Sequence, residues 1–222
     1  MIMKDKRLYI ICGHYGSGKT NVALNLAFSL KKKGERVAIA DLDIVNPYFR
    51  TKDSAKELES AGIQLISSEY AGSNVDIPAL PQDMYAITDK TDTKFILDIG
   101  GDDRGALALG RIVPKILSES NYEMLLTVNR FRPLTRDTAS VLEVIDEIEA
   151  AAKIRFTGII NNSNLGEETK AEDILSSVAY AEEISKATGL PIVLTTVDER
   201  LYDEVKGKIE NVFPLKLQEK IK

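Results

Sequence analysis

The chain contains 222 residues, of which 44% are hydrophobic and 28% are charged, a balance that supports a sizeable buried core in a globular protein. Its net charge of −5 disfavours nonspecific binding to nucleic acid, and a single cysteine, Cys12, excludes a disulfide or a paired-cysteine metal site within one chain. No apolar run is long enough to span a membrane or to serve as a signal peptide, so we predict a cytoplasmic protein.

Short apolar segments rich in β-branched residues alternate with stretches of helical character along the whole chain. The predicted strands cover 8–12, 36–40, 63–66, 95–97, 123–128, 156–160 and 191–195. Helices are predicted at 21–27, 54–61, 135–152 and 169–188, with Asp198 placed to cap a last one. This alternation predicts an α/β fold: a three-layer, doubly wound, mostly parallel sheet with helices on both faces. Since no segment has the composition of a linker, we expect a single domain over 1–222.

A glycine-rich segment follows the first predicted strand and precedes the first predicted helix. It reads GHYGSGKT from Gly13 to Thr20 and matches the phosphate-binding P-loop pattern in the strand–loop–helix context that this motif requires. Glycines allow backbone N–H groups to approach an anion closely, while a catalytic Lys19 would contact the β- and γ-phosphates. The alternative is a glycine-rich turn with an incidental lysine. The nucleotide-binding residues predicted here are Gly13, His14, Tyr15, Gly16, Ser17, Gly18, Lys19, Thr20 and Asn21.

Acidic residues follow two later strands, at the edge of a parallel sheet where ligands bind. Asp41 and Asp43 end the second strand and would share one face, and Asp98 follows the strand at 95–97. We predict that Thr20, Asp41 and Asp98 hold Mg²⁺ and that Asp43 is catalytic, orienting the attacking water. Gly101 would offer its N–H group to the γ-phosphate. The alternatives are a solvated turn after the later strand and a pair of surface or helix-capping carboxylates after the earlier one.

Three segments together resemble the ParA/MinD-like, SIMIBI-class P-loop ATPases, a family that includes nitrogenase iron protein and carbon monoxide dehydrogenase maturation factors. They are the P-loop at 13–20, Asp41-Leu42-Asp43 and Asp98-Ile99-Gly100-Gly101, and the order of elements fits over nearly the whole chain. The resemblance implies ATP and Mg²⁺ as cofactors and a homodimer that closes around bound nucleotide. It also implies that an asparagine ending a late strand faces the purine, which here would be Asn161. Adenine is favoured over guanine because the chain lacks the Asn/Thr-Lys-x-Asp run.

The P-loop departs from the family pattern, which reads Gly-Lys-Gly-Gly-x-Gly-Lys-Ser/Thr. His14 stands at the signature lysine, which in the family reaches across the dimer to the partner's phosphates. An imidazole is shorter and mostly neutral at pH 7, so His14 would either donate a weaker hydrogen bond to phosphate or only line the loop. Arg50, Lys52, Arg104 and Arg130 lie on predicted ligand-side loops and could supply the missing charge.

These features favour a magnesium-dependent ATPase that acts as a nucleotide-driven switch or as an assembly or maturation factor for an unidentified protein partner. An ATP-dependent phosphotransferase or synthetase, with its small-molecule acceptor near 43–50, is the alternative, and a nucleotide-binding protein without turnover is a third. The segment 211–222 mixes apolar and basic residues, but Pro214 interrupts it, so we interpret it as a solvated tail rather than a membrane helix. The sequence carries no strong nucleic-acid or membrane signal.

Overall fold

The computed structural model of the chain describes residues 3–42, 51–67, 87, 92–100 and 103–218. Within these residues, eight strands form one parallel sheet in the order β3-β2-β4-β1-β5-β6-β7-β8. The strands are β1 (Leu8–Cys12), β2 (Val37–Leu42), β3 (Gln64–Ser67), β4 (Lys94–Ile99), β5 (Tyr122–Val128), β6 (Gly158–Asn161), β7 (Ile192–Asp198) and β8 (Val212–Leu215).

Helices cover both faces of the sheet. They are α1 (Lys19–Lys32), α2 (Ala55–Ser60), α3 (Asp103–Gly110), α4 (Val113–Glu119), α5 (Thr138–Ala152), α6 (Ala171–Thr188) and α7 (Tyr202–Val205). Alternate residues of the central strand β1 enter different cores, because successive side chains of a strand point to opposite faces. Ile10 joins the core formed with α3, α4, α5 and α6, whereas Ile11 joins the core formed with α1. The predicted three-layer α/β fold is therefore confirmed.

The ends of several helices differ from the sequence predictions by a few residues. Helix α5 begins at Thr138 rather than at 135, because Asp137 is its N-cap and accepts a hydrogen bond from the Ser140 N–H at 2.9 Å. Helix α6 begins at Ala171, where the Asp173 carboxylate accepts from the Lys170 N–H at 2.9 Å. The capping boxes predicted at 54–57 and 169–172 are therefore wrong in detail, although helices do start beside both.

Three elements were not predicted from the sequence, namely helices α3 and α4 and the edge strand β8. Strand β8 pairs in parallel with β7, so four residues of the segment interpreted as a solvated tail belong to the sheet. That interpretation of 211–222 is wrong for 212–215, because Pro214 lies in an edge strand, where its missing N–H breaks no ladder on the open side. No helix in the part of the chain that the structure describes is long and apolar enough to cross a lipid bilayer.

Candidate functional site

The P-loop connects the carboxyl end of β1 to the first turn of α1, and its glycines meet specific backbone demands. Gly16 and Gly18 have φ of 78° and 84°, a left-handed conformation that residues with a Cβ adopt only at a cost. Gly13 has a different reason, since a Cβ there would lie 2.6 Å from the carbonyl oxygen of Thr127. A turn closes the loop, with the Ser17 N–H donating to the His14 carbonyl oxygen at 3.0 Å. The loop is thus a tight backbone cradle at a helix N-terminus, the geometry that binds anions.

The two polar side chains that end the motif are almost completely buried. Lys19 is 3% exposed and Thr20 is 5% exposed, and both lie in the first turn of α1. Burial raises the pKa of the Cys12 thiol far above its usual range, the Lys19 ammonium group opposes that rise, and the Asp98 carboxylate adds to it. Cys12 therefore stays a neutral, unreactive thiol, and Lys19 and Asp98 lie close enough to the end of β1 to act on it electrostatically.

Two aspartates sit side by side next to the P-loop. Asp41 on β2 and Asp98 on β4 are directly paired in the register, so their side chains project from the same face. Asp98 is fully buried, and its Oδ2 accepts a hydrogen bond at 3.0 Å from the Thr51 hydroxyl, a partner the sequence did not suggest. No group of three His, Cys, Asp or Glu side chains among the described residues could hold a metal on its own. A Mg²⁺ ion here would therefore combine Thr20 and this pair with phosphate oxygens and water, as Mg²⁺ commonly does.

A cavity of about 560 Å³ opens along the P-loop, within the size range of small-ligand sites. The P-loop and the first turn of α1 form one side, and the segment at 164–168, which follows β6, forms a second. Two residues after β8 and an arginine from the loop after β5 complete it. The lining residues are Tyr15, Gly16, Gly18, Lys19, Thr20, Asn21, Arg132, Asn164, Leu165, Gly166, Glu167, Glu168, Leu217 and Gln218.

Asn162, the residue that follows β6, connects the strand ends to the P-loop. The Asn162 Nδ2 donates to the Ser17 carbonyl oxygen at 2.6 Å, and its Oδ1 accepts from the Thr196 hydroxyl. A Cβ on Gly18 would collide with the same Nδ2, so the contact requires glycine there. The asparagine therefore fixes the P-loop backbone from the end of β6, which is separated from β1 by β5 in the sheet.

Asn161 does not reach the cavity. Its side chain is fully buried, with Nδ2 donating to the Ser177 hydroxyl at 2.9 Å and Oδ1 accepting from the Ser163 hydroxyl at 2.7 Å. Since successive strand residues face opposite sides, the asparagine that ends β6 turns towards α6 while the next one turns towards the P-loop. The expectation that Asn161 faces a purine is therefore corrected. The adjacent pair Asn161-Asn162 was the only sequence signal for Asn162.

Asn21 lines the cavity and also holds the C-terminal segment. Its Nδ2 donates to the Lys216 carbonyl oxygen at 3.1 Å, and the Asn25 Nδ2 donates to the same oxygen at 3.0 Å. The Lys216 N–H returns a hydrogen bond to Asn25 Oδ1 at 2.9 Å. These contacts place Leu217 and Gln218 at the cavity wall, although they lie almost 200 positions from the P-loop.

A family model describing the CobQ/CobB/MinD/ParA nucleotide binding domain matches residues 9–200. The chain belongs to this family. The protein is therefore a nucleotide-binding P-loop domain of the SIMIBI class, a family of P-loop NTPases that are generally hydrolytic. None of the curated proteins is significantly similar to it in sequence.

Several solved structures share the fold of this CobQ/CobB/MinD/ParA domain. Cell division protein FtsY from Thermotoga maritima is 21% identical over 88% of this chain and 63% of its own, with a TM-score of 0.60. Chloroplast FtsY from Physcomitrella patens is 19% identical over 88% and 60%, with a TM-score of 0.56. FtsY from Elizabethkingia anophelis, solved in complex with GDP, is 16% identical over 88% and 58%, with a TM-score of 0.51. The chain thus corresponds to about 60% of the length of these proteins, and at such identities the likeness shows the fold alone.

His14 and Tyr15, the two departures from the family's P-loop pattern, occupy different environments. His14 is half-buried, and its buried Nδ1 forms no hydrogen bond with the described residues. Tyr15 is 58% exposed at the mouth of the cavity.

Of the four cations that the sequence offered in place of the signature lysine, the structure describes the side chain of Arg130 alone. The Arg130 guanidinium donates to the Ser176 carbonyl oxygen at 2.8 Å and therefore points towards α6. The side chains of Lys52 and Arg104 lie outside the described part of the chain, as do Asp43, Arg50 and Gly101 as whole residues. Arg132, which the sequence analysis did not single out, contacts the P-loop instead: its Nε donates to the Gly16 carbonyl oxygen at 2.9 Å.

Proposed function

We propose that this protein binds ATP with Mg²⁺ and hydrolyses it, and that the bound nucleotide switches its contacts with a protein partner in assembly or maturation. One observation carries the proposal: a buried Lys19 lines a nucleotide-sized cavity at the P-loop, and Asp98, paired in register with Asp41, lies close enough to act with Lys19 on the end of β1. Burying a lysine and two carboxylates costs free energy, and a purely structural role would not require them beside a glycine-rich loop.

Each of these groups has a role in the proposed hydrolysis. Backbone N–H groups of the P-loop and the Lys19 ammonium group bind the phosphates, while Thr20 and the two aspartates hold Mg²⁺ directly or through its water. An attacking water, oriented by Asp43, forms a bond to the γ-phosphorus as the bond to the β,γ-bridging oxygen breaks. ADP leaves with that oxygen, and the proton of the water passes to the released phosphate. Catalysis in this scheme consists of positioning and charge stabilisation.

Phosphate release from Mg²⁺-ATP without any acceptor tests the reaction class. We expect steady release at the modest rates usual for switch ATPases, and its loss in excess EDTA, because the metal neutralises charge that develops on the phosphates. A chain that binds ATP tightly but releases no phosphate would contradict hydrolysis. Release only after a small-molecule acceptor is added would instead support the phosphotransferase alternative.

We propose adenine as the base because the chain lacks the Asn/Thr-Lys-x-Asp run and because Leu165, rather than a carboxylate, lies three residues beyond Asn162. Guanine presents two adjacent donors, N1–H and N2–H₂, which a carboxylate satisfies well. Three residues beyond Asn162 the chain has Leu165, an apolar side chain that lines the cavity and is 42% exposed. The exposed Glu167 and Glu168 also line the cavity, so a direct competition experiment is needed to test base choice.

Unlabelled GTP should displace labelled ATP about tenfold less well than unlabelled ATP does, since guanine would leave its two donors without a suitable acceptor at Leu165. Leu165→Asp should narrow or reverse that preference. Leu134→Asp, which changes a leucine that is 49% exposed but does not line the cavity, should leave it unchanged. Equal potency of the two nucleotides against the wild-type chain would contradict the adenine proposal.

We further propose a nucleotide-dependent homodimer, because the family resemblance implies one and His14 keeps an unsatisfied nitrogen at the loop. Only nucleotides that bind the two states differently can shift a monomer–dimer equilibrium. Light scattering should therefore show a larger mass with ATP and Asp43→Ala than with ADP. His14→Lys should increase the dimer fraction, since it restores a permanent charge at the signature position. One unchanged mass in every nucleotide state, for both variants, would overturn the dimer and leave the hydrolysis proposal standing.

A further inference from the structure

One arginine from outside the P-loop motif is fixed against the loop. Arg132 follows β5, and its Nε donates to the carbonyl oxygen of Gly16 at 2.9 Å, 116 positions away in sequence. Its Cδ and Nε lie 3.6 Å from the position that a Cβ on Gly16 would occupy. The side chain is exposed and lines the same cavity as Lys19 and Thr20.

The backbone that carries Arg132 is a well-connected turn. The Arg132 N–H donates to the Asn129 carbonyl oxygen at 3.0 Å, and the Thr135 N–H donates to the Arg132 carbonyl oxygen at 3.1 Å. The Thr135 hydroxyl, in a residue that is 1% exposed, donates to the Asn129 carbonyl oxygen at 2.8 Å. Pro133 opens the short 3₁₀-helix that follows and fixes φ there. The turn therefore holds the arginine at the P-loop with little conformational freedom left to lose on binding.

The two nearest arginines in sequence have other partners. Arg130 bonds Ser176, and the Arg136 Nε forms an ion pair with Asp137 at 3.2 Å. Arg132, by contrast, forms no ion pair with any carboxylate among the residues that the structure describes. Among the described residues, its side chain donates one hydrogen bond, through Nε to a neutral carbonyl, which leaves the two Nη groups of the guanidinium fork for an anion.

We propose that Arg132 is a phosphate ligand that this chain supplies to its own nucleotide site. The Nε–H group stays on the Gly16 carbonyl, and the Nη groups donate to phosphate oxygens of the bound nucleotide. The inference rests on the proposed nucleotide function and assigns it a further binding residue outside the motif. It also provides a permanent positive charge in a P-loop whose second position is His14 instead of lysine, because a guanidinium stays protonated at every physiological pH.

Calorimetry on the full chain with three probes tests this assignment: Mg²⁺-ATP, inorganic tripolyphosphate and, by competition, adenosine. Arg132→Gln should weaken ATP and tripolyphosphate binding by about tenfold to a hundredfold, the range for loss of charged hydrogen bonds. Adenosine binding should stay unchanged, since it has no phosphate. Arg132→Lys should retain part of the affinity. Arg136→Gln is the matched control, since it removes an arginine from the same connection whose partner is Asp137, and it should bind all three probes as the wild type does.

The outcomes separate the proposal from its competitors. Unchanged tripolyphosphate affinity in Arg132→Gln would overturn the phosphate contact. An equal loss for adenosine and tripolyphosphate would show a brace for the loop, and a loss confined to adenosine would show stacking on the base; either result overturns the assignment. If neither the wild-type chain nor Lys19→Ala bound tripolyphosphate, the proposed function would fail together with this inference. If only the prediction for Arg132→Gln fails, the phosphate contact of Arg132 is overturned and the proposed function remains intact.

Discussion

Lys19→Ala should lose ATP binding by about a hundredfold or more, the largest single effect that we expect in this protein. Lys19 is 3% exposed at the start of α1, in the position from which a P-loop lysine reaches the β- and γ-phosphates. Its removal withdraws charge-assisted hydrogen bonds to the phosphates from a nearly buried lysine, and such bonds are stronger than those between neutral groups. Isothermal titration with Mg²⁺-ATP measures the loss directly.

A control at the other end of the same helix makes this result specific. Lys33 is exposed at the C-cap of α1, so Lys33→Ala changes the net charge equally but should leave the ATP affinity unchanged. Thermal unfolding of the ligand-free proteins shows whether Lys19→Ala still folds, and we expect it to fold, since alanine is a better helix former than lysine. Wild-type ATP affinity in a folded Lys19→Ala protein would mean that the nucleotide does not bind at the P-loop.

Substitutions of Asp98 and Asp43 should impair different steps, namely ATP binding and turnover. Asp98→Ala should weaken Mg²⁺-dependent ATP binding, because the fully buried carboxylate would order the metal in the ground state as well as in the transition state. Asp43→Ala should keep ATP binding and slow turnover by about a hundredfold, because a group that orients water acts mainly in the transition state. Titrations with Mg²⁺ and with EDTA, beside single-turnover phosphate release, measure the two effects separately.

Asp98→Asn serves as the matched variant for this comparison. The amide keeps an oxygen that can accept the hydrogen bond from Thr51, so the packing around β4 is retained while the negative charge is lost. The Asp98→Asn variant should therefore bind ATP with the same affinity in Mg²⁺ and in EDTA. The affinity of the wild type should differ strongly between these two conditions. Equal loss of ATP binding in the Asp43 and Asp98 variants would contradict the division of roles. Retention of full Mg²⁺ dependence in Asp98→Asn would remove Asp98 from the metal site.

The P-loop, the acidic residues at the carboxyl ends of the strands and the fold class could be predicted from the sequence, because each depends on contiguous residues. The eight residues from Gly13 to Thr20 carry their own backbone demands, which the observed positive φ of Gly16 and Gly18 match. Asp41 and Asp98 could be placed at one edge because parallel strands bring their carboxyl ends together, and the register pairs them directly. The metal and nucleotide roles given to Asp43 and Gly101 remain predictions, since both lie outside the described residues.

The sequence did not correctly predict which way a side chain faces at the end of a strand. Asn161 and Asn162 are identical side chains one position apart, and the alternation of a strand sends one into the core and the other to the P-loop. A shift of one residue in such a prediction reverses its meaning. Nothing in the local sequence distinguishes the two, because the choice depends on how β6 sits between β5 and β7.

The sequence by itself determined the phosphate cradle, its lysine and the parallel α/β fold that holds them. Only the tertiary structure decided which distant residues complete the cavity: Arg132 from the loop after β5, Asn162 after β6, and Leu217 and Gln218 after β8. Motif chemistry is encoded within a few neighbouring residues, whose conformations obey local steric rules. Contacts across more than a hundred positions depend on strand order and side-chain packing, which no local pattern in a single sequence specifies.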